Sequence, residues 1–106
     1  MESIENLKKE ELQLLAGKAS RQAADCVQQG DLQHGEQLYL KALRAWDEIY
    51  QQTGEQSDGA AAGEICEILA DICMQQGNMH GADVYYVRAL GYRNTECRGG
   101  KTVSSV

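Results

Sequence analysis

At 106 residues the chain suits one small domain with one core, and no run approaches the roughly 20 apolar residues of a membrane span. A net charge of -6 argues against nucleic acid, which asks for a basic face. The opening MESIENLKKEE is too charged for a signal peptide, and none of the four cysteines forms a Cys-x-x-Cys pair, so packed free thiols and a cytosolic or nuclear address are expected.

Taken in chain order, Ser3 can cap a helix, and Ile4, Leu7, Leu12, Leu14 and Leu15 supply its apolar face. The stripe continues through Ala16, Ala19, Ala23, Cys26 and Val27, which predicts one long first helix, or one kinked near Gly17. Gly30 stands where that helix must end, and Asp31 can cap the next. Leu32, Gly35, Tyr39, Ala42 and Leu43 open a second helix, which Trp46, Ile49 and Tyr50 carry to about Gln52. Thr53 to Gly59 reads as a polar loop, with Ser57 or Asp58 capping a third helix that starts through Ala60. Gly63 costs that helix about 1 kcal/mol against Ala, which predicts a frayed first turn. Ile65, Cys66, Leu69, Ala70, Cys73 and Met74 form its stripe, Gly77 ends it and Asn78 can cap the fourth. That fourth helix carries Met79, Ala82, Tyr86, Ala89 and Leu90. Residues 94–106 have no stripe, hold Gly99-Gly100 and predict a disordered tail. Its end, Ser104-Ser105-Val106, fits the hydroxyl-x-aliphatic pattern that strand-adding PDZ domains accept, although a plain unstructured end is the preferred reading.

The same phrase is written twice. Ala23, Cys26, Gln28, Gln29, Gly30, Tyr39, Ala42 and Leu43 return 47 residues later as Ala70, Cys73, Gln75, Gln76, Gly77, Tyr86, Ala89 and Leu90. Each copy is a helix, a tight turn and a helix, a unit that cannot bury its apolar face alone and therefore stacks on a copy of itself. Tyr39, Tyr86, Ala42, Ala89, Leu43 and Leu90 are expected in the core, with Trp46 near the extended first helix.

These residues resemble the tetratricopeptide repeat. With Gly30 and Gly77 at its fifteenth position, Ala23 and Ala70 fall on the small residue at 8, and Gly35 and Ala82 on that at 20. Tyr39 and Tyr86 fall on the aromatic at 24, Ala42 and Ala89 on the small residue at 27. Cys26 and Cys73 replace the family's aromatic at 11, its proline near 32 is absent, and the period is longer than its usual 34. The resemblance implies an all-α fold, a right-handed stack of antiparallel helix pairs with about four helices. The helical domain would cover residues 1–93, with repeats at about 16–49 and 63–93.

It also implies a function, that of a protein–protein interaction module. The first helix of each repeat would line a groove, through Ser20, Ala24 and Val27 beside Gly17 in copy one. In copy two the lining would be Glu64, Glu67, Asp71, Met74 and Gln75. Such a groove suits a protein or peptide with an apolar anchor followed by Lys or Arg. The family's chaperone-binding members grip a C-terminal carboxylate with Lys, Asn and Arg. Ser20, Ala24, Glu67 and Asp71 stand at those places, so acidic chaperone tails are not expected to bind. The alternative function is self-association through exposed end faces of the stack, giving a homo-oligomer. No chemistry competes. His34 and His80 lie at no zinc-finger spacing from Cys26 and Cys73, and phosphate-binding glycine motifs are absent. No Ser-His-Asp grouping stands out, so neither an enzyme nor a cofactor is expected, nor a nucleic-acid or membrane partner.

Overall fold

The computed structural model describes residues 8–94. They form four helices and, among the described residues, no strand: α1 Lys9–Gln28, α2 Leu32–Thr53, α3 Gln56–Gln75 and α4 Met79–Asn94. The fold is all-α. Each helix packs against its neighbours in sequence, α1 on α2, α2 on α3 and α3 on α4. The capping expectation at Ser3, the apolar residues Ile4 and Leu7, and the tail after Asn94 lie outside the described residues.

The two repeats turn in the same way, and the cause is the shared glycine. Gly30 and Gly77 take φ of 87° and 80°, a left-handed backbone that other residues adopt only with strain. This lets the amide of Asp31 donate to the carbonyl of Cys26 (2.8 Å) and that of Gly30 to Val27 (3.0 Å). In copy two Asn78 donates to Cys73 (2.8 Å) and Gly77 to Met74 (3.0 Å), so both helices end in one Schellman closure that satisfies their last carbonyls. The next residue then caps the following helix. The Asp31 carboxylate accepts from the amide of His34 (3.3 Å), and Asn78 Oδ1 from that of Gly81 (3.0 Å). Asp31 also holds the His34 ring at 2.6 Å, and these bonds to His34 keep its carboxyl below the usual carboxylate range.

The central core draws on all four helices. Ala19 and Ala23 come from α1, Tyr39, Ala42 and Leu43 from α2, Ile65, Cys66 and Leu69 from α3, and Ala89 from α4. A second cluster joins Leu12 and Ala16 of α1 to Ala45 and Ile49 of α2, and Trp46 packs against both clusters. Small residues at Ala42 and Ala89 are fully covered, which allows close helix approach.

Five expectations are corrected. Leu14 is exposed rather than part of the apolar face of α1. The polar loop shrinks to Gly54 and Glu55, and Asp58, within α3, finds its partners on α2 and α1. It accepts a hydrogen bond from the Thr53 hydroxyl (2.7 Å), lies 4.0 Å from the Lys9 ammonium and is buried. Glu55, not Ser57 or Asp58, is the N-cap of α3, and Asp58 sits in its first turn, where the helix dipole favours a negative charge. Gly63 is buried, not frayed: it faces α4, where a Cβ would lie 3.6 Å from Cβ of Tyr92, an ordinary contact distance. Tyr92 ties α4 to α2. Its ring meets that of Tyr50 edge-on at 6.0 Å, and its hydroxyl donates to Asp47 Oδ1 (2.6 Å).

The fifth correction concerns the second copy. Tyr39 and Leu43 are 8% and 1% exposed, but their counterparts Tyr86 and Leu90 are 39% and 55% exposed. The reason is position in the stack. α3 covers the outer side of α2, while no described helix covers the corresponding side of α4.

Candidate functional site

α3 is the acidic helix. It carries Asp58, Glu64, Glu67 and Asp71 and no Lys or Arg. Asp58 is turned inward, whereas Glu64, Asp71 and Gln75 are exposed and Glu67 is half-buried. The exposed side chains of Ile68 and Met74 stand among them. This face exists because α3 spends its apolar positions on two neighbours. Ile65 and Leu69 enter the central core with α2, and Ala70 and Cys73 pack with Ala82 and Tyr85 of α4. The remaining side of the helix is left to polar residues.

α4 braces two of the acids. Arg93 forms an ion pair with Glu67, and the Tyr86 hydroxyl donates to Asp71 Oδ1 at 3.1 Å and lies 3.7 Å from the Met74 sulfur. Accepting that hydrogen bond, Asp71 pushes the Tyr86 phenol above its ordinary pKa, so the phenol remains a donor. Glu67 is thus partly neutralised, contrary to its expected role as a solvent-facing recognition charge. Glu64 and Asp71 carry the outward negative field.

Copy-two candidates therefore come together: Glu64, Glu67, Asp71, Met74 and Gln75 share the outer side of one helix. Copy-one candidates differ among themselves. Ala24 is exposed and Ser20 half-buried, but Val27 packs against the central core. Tyr86 and Arg93 were missed as site residues, since the repeat pattern assigns Tyr86 to the core. The signal that could have placed them is their position on the second helix of the second copy, the last described helix.

Among the described residues, no three His, Cys, Asp or Glu side chains are grouped as metal ligands would be, and no helix is long and apolar enough to cross a membrane. A shallow depression of about 360 Å³ lies elsewhere, lined by Gln37, Leu40, Lys41 and Arg44 of α2. It includes none of the candidate residues.

Cys66 and Cys73 are buried, and desolvation raises both thiol pKa values, so neither is poised as a thiolate. Native-state labelling with a maleimide should therefore leave Cys66 and Cys73 behind. An opening free energy of about 3 kcal/mol slows them roughly a hundredfold against the denatured chain. Mass-spectrometric mapping that found Cys66 modified as fast as in denaturant would contradict this packing.

Comparison of the chain with family models, with curated proteins and with solved structures returns no match.

Proposed function

We propose that the chain is a non-enzymatic protein–protein interaction module of tetratricopeptide-repeat type. On this reading it is a cytosolic or nuclear adaptor that needs no cofactor. It receives an apolar-and-basic segment of a partner protein on the outer face of α3. The observation that carries the reading is the charge asymmetry of that face. Glu64 and Asp71 are exposed beside Ile68 and Met74, and α3 offers no cation to compensate them. A peptide with a leucine or methionine anchor followed by lysines would complement both features. The repeat assignment is supported by the identical turn closures and by the small residues Ala23, Ala70, Ala42 and Ala89, all buried at matching places.

The test is fluorescence anisotropy with a labelled peptide of that composition, against the parent and Glu64→Lys/Asp71→Lys. Exposed ion pairs contribute about 0.2–1 kcal/mol each. Reversing two charges also adds repulsion, so affinity should fall about tenfold or more. Binding to the parent should weaken as salt rises, because the charges are exposed and screened within about 8 Å at physiological ionic strength. Equal binding by parent and variant, both with unchanged helicity, would sink the acidic-face reading.

A further inference from the structure

We propose that α4 is a self-association face, through which two copies of the chain meet α4 against α4 about a twofold axis. The internal repeat shows what this face is built like. Leu32, Tyr39 and Leu43 on α2 correspond to Met79, Tyr86 and Leu90 on α4. On α2 the last two lie in a core cluster completed by Ala62, Ile65, Leu69 and Ile72 of α3. On α4 the same pattern is in water: Met79 is 58% exposed and the adjoining Val87 66%. An exposed apolar stripe of this kind, interrupted by Asp83, marks a contact surface on a small domain.

The chain's other end decides which contact a second copy can make. Head-to-tail stacking would place α1 of one copy on α4 of the next, in the role that α3 plays on α2. Counting back one repeat, Ile65, Leu69 and Ile72 become Lys18, Gln22 and Asp25. All three are exposed. Seating them on Tyr86 and Leu90 would strip a cation, an amide and an anion of water against apolar side chains, which costs several kcal/mol. The two end helices of the described stack, α1 and α4, are therefore not complementary, and an open filament is disfavoured. A twofold contact instead lays the apolar stripe on itself.

Charge points the same way. α3 carries four acids and no Lys or Arg, so it would repel its own image, whereas α4 carries Asp83 near its start and Arg88 and Arg93 in its second half. Area sets the strength. Met79, Tyr86, Val87 and Leu90 expose on the order of 400 Å² together. With flanking atoms from both copies the buried total is roughly 1,200 Å², the lower edge of specific interfaces. The dimer is accordingly weak, dissociating at about tens of micromolar.

The experiment is sedimentation velocity on the full chain from about 5 to about 500 µM. The parent should pass from monomer to dimer and stop there. Val87→Glu/Leu90→Glu should raise the dissociation constant at least about tenfold, while Leu14→Glu on α1 should leave it unchanged. Both variants replace exposed side chains, and circular dichroism checks their helicity; if the double variant loses helix, Val87→Glu alone serves. High salt should preserve or tighten this apolar contact, in contrast to peptide binding on the acidic face, so either reading can fail without the other. A parent that stays monomeric to the highest concentration overturns the proposal. So does an undiminished dimer in the α4 variant, or a mass that keeps growing beyond two copies.

Discussion

Leu43→Glu is expected to abolish the cooperative melt, while Leu90→Glu, at the same place of the other repeat, leaves it nearly unchanged. Leu43 is 1% exposed within the cluster that joins all four helices. Removing a buried leucine costs about 2–5 kcal/mol, and an unpaired carboxylate in its place adds several more. A domain of this size holds only about 5–15 kcal/mol in total, so the folded state should not survive. Leu90 keeps over half of its surface in water, and an exposed substitution shifts stability by about 0.5 kcal/mol. Ala42→Glu and Ala89→Glu should both behave like Leu43→Glu, since both alanines are buried. Thermal circular dichroism checks all four. A Leu43→Glu melt near the parent midpoint would show that the stripe on α2 is not core.

That pairing also marks how far the sequence could be read. Contacts inside one helix pair were legible, because both members of each contact lie within the repeated phrase. Gly30 and Gly77 therefore predict their turns, and Ala42 and Ala89 their burial. Contacts between pairs depend on what comes next in the stack, which periodicity does not encode. Tyr39 and Tyr86 are the same letter in the same register, yet among the described residues only Tyr39 has a following helix over it. The joint between repeats was misread for a related reason. Thr53, Ser57 and Asp58 look like a loop by composition, but Asp58 is held by the Thr53 hydroxyl and faces Lys9 of α1. The acidity of α3 was plain from Glu64, Glu67 and Asp71, whereas the partnering of Glu67 by Arg93 required a contact 26 residues away.

Gly35→Ala is expected to destabilise the fold by about 1–3 kcal/mol, and Val27→Met to restore most of the loss. A Cβ at position 35 would lie 2.6 Å from Cγ2 of Val27 and 3.3 Å from the carbonyl oxygen of Ala23. Val27 cannot readily turn aside, because a β-branched side chain on a helix has one strongly preferred rotamer. The overlap should outweigh the gain of about 1 kcal/mol that alanine brings over glycine in a helix. The second repeat has already solved this problem with another pair. Ala82 stands in the place of Gly35 and is buried, while Met74 stands in the place of Val27 and is exposed. An unbranched methionine can swing out where valine cannot. Each pair is thus matched, and mixing them produces the clash. Urea or thermal melts of the two single variants and the double variant form a thermodynamic cycle. A coupling of about 0.5–3 kcal/mol is expected, visible as roughly 4–8 °C of midpoint recovery per kcal/mol. Strictly additive effects would mean that Gly35 is set by the opening of α2 itself and not by the side chain packed against it.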